Sequence, residues 1–356
     1  MNLSRMNRVI ENMQKAGLDQ ILISATPSIY YLTDKWISPG ERMLALYLNA
    51  NGDYALFANR LFALTGEELH LTEFDDVDDP VALLAEKVRP GKLGIDKIWP
   101  SQFTIRLMEK LPALQPVVGS APVDDARMCK DAEEIEIMRK ASRMNDEATR
   151  RTIEMIREGV TELELSATYT ANAKAVGGDG NSFVPITCFG ANCAEPHHDN
   201  DETRLKKGDS VILDVGVNCG RYISDMTRTV FFGSADDEQK KVYELVRKAN
   251  EVGRAAVRPG VPMCEFDKAA RKVIEDGGYG KYFIHRTGHG VGMDVHEPPD
   301  NSSANQTIAK PGMCFSVEPG IYLPGKFGVR VEDLVAVTPD GCETLNEAGR
   351  ELIEIG

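Results

Sequence analysis

Residues 212–232 read "ILDVGVNCGRYISDMTRTVFF", two apolar, β-prone runs around "NCGR" with one aspartate on each. Gly220 is free to take a positive φ, so the segment predicts a β-hairpin. With Cys219 and Gly220 as its loop, Asp214 stands directly opposite Asp225. A second segment, "CFSVEPGIYLPGKFGVRVEDLVAV", repeats the arrangement, and a three-residue loop at 324–326 sets Glu318 opposite Glu332. Like charges facing across a sheet repel, and burying them unpaired costs more. No alternating lysines or arginines neutralise them. Divalent cations would, because carboxylates that bridge two metals turn repulsion into shared ligation, as in two-metal hydrolases.

Histidines extend the set. "HRTGHGVGMDVHEPP" holds His285, His289 and His296, with a glycine on each side of His289 that lets the backbone approach a site closely. "EPHHDND" adds His197 and His198. Oxygen ligands with one imidazole favour manganese, cobalt, iron or zinc over copper or a thiolate metal. A water shared by two such ions loses its proton near neutral pH and becomes a nucleophile, and a neighbouring carboxylate passes the proton on. The seven cysteines are scattered without CxxC spacing and read as free thiols in a reducing compartment.

These residues need a scaffold, and 356 residues predict two domains. A hydrophobic share of 42% suits packed cores. Net charge −14 disfavours nucleic acid and anionic membrane surfaces and suits a soluble cytoplasmic protein. No apolar run approaches a membrane span. The N-terminal "MNLSRMNRVIENMQKAG" has the apolar period of an amphipathic helix and lacks the core of a signal peptide. Up to residue 124 strand-like runs ("DQILIS", "RMLALYLNA", "DYALFA") alternate with helical ones ("VALLAEKV", "SQFTIRLMEKL"), the pattern of an α/β domain. Its one histidine, His70, reads as a surface or half-buried residue, and "EFDDVDDP" as a solvated loop. Residues 125–356 open on a long helix with Ile135, Met138, Ala141 and Met144 at helical spacing, then mix helices with hairpins in an α+β pattern, without detectable repeats.

The segments "LDVGV", "YISDMTRT", "TGHGVGMDVHEPP", "SVEPGIY" and "VRVEDLVAV", in this order and spacing, resemble the pita-bread metallopeptidases, specifically the Xaa-Pro dipeptidase (prolidase) and aminopeptidase P branch. The resemblance spans essentially the whole chain. It implies a creatinase-like N-terminal α/β domain (1–124) followed by a pita-bread catalytic domain (125–356). It implies two divalent metal ions per subunit, manganese or cobalt first with zinc or iron as alternatives, on Asp214, Asp225, His289, Glu318 and Glu332. Glu318 is then the proton acceptor. His197, rather than the adjacent His198, assists the substrate or the tetrahedral intermediate. His296 contacts the scissile peptide and its proline side, and His285 lines the proline pocket. Arg330 pairs with the substrate's C-terminal carboxylate or braces the site, with Tyr322 nearby. The N-terminal domain, whose "SIYYLTDKW" lacks the commoner glycine after "YLT", is expected to cap a neighbouring subunit's site, which implies a homodimer acting on short proline-containing peptides.

The expected activity is hydrolysis of Xaa-Pro dipeptides by a metal-bridging water. The bond is a tertiary amide without an N–H, so a general peptidase loses a backbone contact there. The compact length favours the dipeptidase over the alternative, an aminopeptidase P acting on longer peptides. Methionine aminopeptidases would not need the first 120 residues, creatinase lacks the metal ligands, and a non-catalytic peptide-binding module on this fold would also have lost them.

Overall fold

The computed structural model describes residues 1–356 and divides into two compact units, Met1–Arg127 and Met128–Gly356. In the first, a six-stranded mixed sheet is built in the order Leu71–Phe74, Tyr54–Asn59, Ala45–Asn49, Gln20–Ile23, Gly91–Ile95, Leu114–Val118. Leu22, Tyr47, Phe57 and Leu93 from its strands pack with Phe103 and Leu107 of the helix Ser101–Lys110. The expected strands and helices all form. The acidic run is partly ordered: Glu73 and Phe74 end a strand, and Asp79 caps the helix Pro80–Ala85 by accepting from the Val81 and Ala82 N–H groups. His70 is exposed and stacks on Tyr54, ring centroids 4.4 Å apart.

The second unit is built in two similar halves. A helix pair, Ala132–Glu154 and Glu162–Ala175, backs a sheet containing Ser210–Val215 and Met226–Phe232; a second pair, Asp237–Ala256 and Met263–Asp276, backs one containing Cys314–Val317 and Asp333–Val337. One device recurs. Asn145 on the first long helix donates to the Val215 carbonyl, and Asn250 on the second donates to the Val317 carbonyl, both at 2.8 Å and both fully buried. Each asparagine fixes the backbone next to a carboxylate of interest. The duplication escapes a sequence search because it lies in packing and capping rather than in residue identity.

The two hairpins differ from expectation in instructive ways. In the first, the turn residues are Gly220 and Arg221, both at positive φ (57° and 73°), so Cys219 pairs with Tyr222 and Asp214 faces Thr227 instead of Asp225. The positive φ of Arg221, uncommon for a residue with a Cβ, moves the register by two positions. Side chains alternate with period two, so that shift keeps Asp214 and Asp225 on one face. Between the ladders lies Gly216, where a Cβ would collide with the Ser224 carbonyl. In the second hairpin the loop is Pro324–Lys326 and the register is as expected, Leu323 opposite Phe327 and Cys314 opposite Ala336. The ladder opens between these stretches. There the Glu318 N–H donates to the Thr287 carbonyl, just ahead of the strand Gly288–Gly290, and the Glu332 N–H to that of Thr227 in the strand Met226–Phe232. No helix is long and apolar enough to cross a membrane.

Candidate metal centre and substrate pocket

Asp214, Asp225, His289, Glu318 and Glu332 line one cavity of about 440 Å³ in the second unit, together with His197, His198, His285, His296 and Arg330. Ligand atoms of Asp225, His289 and Glu332 lie within 4.8 Å of one another, and all three residues are buried. His289 Nε2 is 3.3 Å from Glu318 Oε1 and 3.7 Å from Asp225 Oδ2. The His289 Nδ1–H donates to the Gly290 carbonyl, 3.2 Å away, which leaves the Nε2 lone pair facing the carboxylates. Gly288 and Gly290 are required because a Cβ on either would meet the Ser316 or Glu297 carbonyl.

The electrostatics are those of an acidic cluster that Arg330 compensates only in part. Burial and the charges of Asp214 and Glu318 hold Asp225 well above the ordinary carboxylate range. Burial, Asp225, Glu318 and Asp214 do the same to Glu332. Burial pushes Glu318 up to about 7, Asp214 adding to the rise while Arg330 opposes it. Burial lowers His289 to about 3, helped by nearby His296. One buried oxygen each of Asp214, Asp225 and Glu332 (Oδ1, Oδ1 and Oε1) has no hydrogen-bond partner. Unpaired buried acceptors are costly. Asp225 and Glu332 belong to the group gathered around His289, and Asp214 lines the same cavity; such a set fits hard divalent cations, which supply the missing charge and coordination together.

A second layer orients this set. Thr227 Oγ1 donates to Glu332 Oε2 at 2.7 Å, and Ser316 Oγ donates to Glu318 Oε1 at 3.0 Å. Arg330 is almost fully buried: its Nη2 donates to Asp214 Oδ2 at 2.6 Å, its Nη1 to the Tyr322 hydroxyl at 2.9 Å and its Nε to Thr227 Oγ1 at 3.0 Å. Of the two roles expected for Arg330, this is the geometry of a brace. The Tyr322 hydroxyl in turn donates to His285 Nε2 at 2.8 Å, while the His285 Nδ1–H donates to the Arg286 carbonyl. Burial and the Arg330 charge lower His285 to about 4. His296 stands edge-on to His289, centroids 4.1 Å apart, and His197 is an exposed residue lining the same cavity.

His198 points elsewhere. Its Nε2–H donates at 2.8 Å to the wholly buried Glu162, whose carboxylate also accepts from the Phe189 and Asp201 N–H groups and the Asn192 amide. Glu162 thus pins the loop carrying His197. Sequence reasoning missed Glu162, Thr227, Ser316 and Arg286. Thr227 and Arg286 lie inside motifs already singled out, whereas Glu162 gives no local signal because its partners are 27 to 39 residues away.

Comparison with known proteins agrees with this architecture. The metallopeptidase family M24 pattern matches residues 136–339, and the creatinase/prolidase N-terminal domain pattern matches residues 5–129. The chain is 34% identical over 353 residues to an Xaa-Pro dipeptidase of Pyrococcus horikoshii, covering 98% of both chains. It superposes on a P. horikoshii dipeptidase crystal structure with TM-score 0.93 and 36% identity, covering 99% of this chain and all of that one. A recombinant prolidase from Thermococcus sibiricus gives TM-score 0.92 and 38% identity over 100% and 99% of the two chains. The protein therefore belongs to metallopeptidase family M24, with a creatinase/prolidase-type N-terminal domain ahead of the catalytic one.

Proposed function

We propose that this protein is a dinuclear metal-dependent Xaa-Pro dipeptidase. The observation that carries the reading is a cavity of about 440 Å³ lined by four carboxylates and His289, with three carboxylate oxygens unpartnered. Small-molecule pockets start near this size. Relatives named as Xaa-Pro dipeptidase and prolidase over nearly the full length support the substrate class.

Asp214, Asp225, His289, Glu318 and Glu332 hold two divalent ions, manganese or cobalt before zinc or iron. When bound, the ions lower the pKa of water and polarise the scissile carbonyl. Glu318 takes the proton of the attacking water and returns it to the proline nitrogen. His296 and His197, both lining the pocket, hold the substrate carbonyl and the charge that develops on it. Arg330 fixes Asp214, and through Tyr322 it fixes the His285 ring that borders the proline side. Seven free thiols support a reducing, cytoplasmic setting. The resemblance of the first domain to subunit-capping domains supports a homodimer.

The test is hydrolysis of Ala-Pro against Ala-Pro-Ala by chelator-stripped protein resupplied with manganese, cobalt or zinc. Metal-dependent cleavage of the dipeptide in preference is expected. Preference for the tripeptide would make the enzyme an aminopeptidase P, and no cleavage of either would remove the peptidase reading.

A further inference from the structure

His285 sits on a stretch, residues 283–287, that belongs to neither a helix nor a strand and leads into the strand Gly288–Gly290. The helix Met263–Asp276 frames this coil from outside the pocket. Asp267, wholly buried, accepts at Oδ1 from the Thr287 N–H at 2.9 Å and from the Thr287 hydroxyl at 2.7 Å. One turn later Arg271 closes on the same carboxylate, its Nε 3.0 Å from Oδ2 and its Nη2 3.1 Å from Oδ1. The guanidinium also reaches the coil: Nη1 donates to the Phe283 carbonyl at 3.1 Å and Nη2 to the His285 carbonyl at 2.8 Å. It lies over the Phe283 ring, 4.2 Å from the centroid. From Thr287 the contacts run on to the centre. Its carbonyl accepts the Glu318 N–H at 2.8 Å, and the next residue but one is His289.

We propose that Asp267 is a positioning residue for the metal centre: through Thr287 it sets the backbone from which Glu318 and His289 project, and through Arg271 it sets the peptide that carries His285. The inference rests on the peptidase reading above and deepens it by naming what holds the reacting groups in register. Burying the Asp267 charge costs desolvation that its ion pair offsets, and replacing such a pair by apolar residues is often neutral for stability. Apolar residues cannot reproduce the directions. Two donors of Thr287 and the carbonyls of Phe283 and His285 are each met by a charged partner, and charge-assisted hydrogen bonds are the strong and geometrically selective ones. Neither Asp267 nor Arg271 lines the cavity, so their influence on it passes through the coil. Reacting groups must be held to within about 0.5 Å, and this coil has no ladder or helix of its own to do so.

The experiment compares wild type with Thr287→Val, Thr287→Ser and Asp267→Asn, all loaded with cobalt. It reads Ala-Pro kinetics, bound metal and the visible absorption of the cobalt. Ile274→Val, a buried apolar change on the same helix, controls for a loss of stability alone. Thr287→Val keeps the shape and the backbone N–H and removes one hydrogen bond, so the test stands even where Asp267→Asn fails to fold. At full metal occupancy Thr287→Val should lower kcat about 10- to 100-fold, the range for lost outer-shell partners, with KM changed less than about threefold. Its cobalt bands should shift. Thr287→Ser should restore both readouts, and Ile274→Val should alter neither. Asp267→Asn, which also releases Arg271, should add a rise in KM through His285; an unchanged KM there would overturn the His285 branch. Wild-type kcat and cobalt bands in Thr287→Val, or a loss that Thr287→Ser does not restore, would overturn the assignment while leaving the peptidase intact. No cleavage by cobalt-loaded wild type would instead overturn the peptidase reading, and the cobalt bands of the variants would still decide whether Asp267 positions the ligands.

Discussion

Arg330 Nη2 lies 2.6 Å from Asp214 Oδ2 on a side chain that is almost wholly buried, so the guanidinium is committed to bracing a candidate metal ligand. Removing it leaves Asp214 without its partner and Tyr322 and Thr227 without their shared donor. Arg330→Gln should bind divalent metal about 10- to 100-fold more weakly, the range typical of lost outer-shell partners. Turnover should fall in step at subsaturating metal and recover partly at high metal. Metal titration followed by kcat at each concentration checks this; a variant with unchanged metal affinity and a raised KM would return Arg330 to the substrate.

Asp225 is held above the normal carboxylate range by burial and by Asp214 and Glu318. Asp225→Asn removes a repelling charge at constant volume. The chelated variant should therefore melt above chelated wild type, while cleavage is lost and added metal no longer raises the melting temperature. Calorimetry with and without chelator decides. A chelated variant that melts below wild type would show that Asp225 is not under charge strain.

Between pH 6.5 and 8 the metal-free protein should lose stability as pH rises. The sign follows from the folded-state carboxyl pKa values, which are raised: Glu318 to about 7, with Asp225 and Glu332 in the same direction. In the unfolded chain these groups are already ionised in this window, so folding carries protons that rising pH removes. His285 and His289, lowered to about 4 and 3, act the opposite way, but only as pH falls below about 6.5. Each tenfold difference in proton affinity between the folded and unfolded chain is about 1.4 kcal/mol, or about 3–6 °C for a domain of this size. Chelated protein should melt lower at pH 8 than at pH 6.5, and manganese should abolish or reverse the difference. A chelated melting point that rises over this range would contradict the cluster's electrostatics.

The paired asparagines give a prediction about the scaffold alone. Asn250→Leu removes the buried side-chain donor to the Val317 carbonyl next to Glu318, and Asn145→Leu removes the donor to Val215 next to Asp214. Each should cost about 1–3 kcal/mol, visible as a lower denaturation midpoint at unchanged m-value. Two neutral substitutions would mean that these amides do not hold the ligand-bearing strands.

What was legible in the sequence follows the range of the interactions. Strands and helices of the first unit follow short-range apolar periodicity. The PGK loop sets the second hairpin's register through geometry local to a few residues, so Glu318 and Glu332 fall where counting puts them. The first hairpin misled because Arg221, and not only Gly220, adopts a positive φ, a choice residue type does not announce. Asp214 and Asp225 still share a face because the error was an even number of residues. The supports of the centre, Glu162 beneath the His197 loop and Thr227 against Glu332, depend on partners tens to a hundred residues distant. No local pattern encodes those contacts.

The most direct test of the central claim is the rate of Ala-Pro hydrolysis by stripped protein as manganese or cobalt is returned, with bound metal counted alongside. A dinuclear centre on these residues predicts no cleavage in chelator, activity that saturates as two ions bind per chain, and no recovery for Glu332→Gln at the same metal concentrations. Cleavage that persists in chelator, or that saturates with metal bound while Glu332→Gln remains fully active, would contradict a centre built on Asp214, Asp225, His289, Glu318 and Glu332.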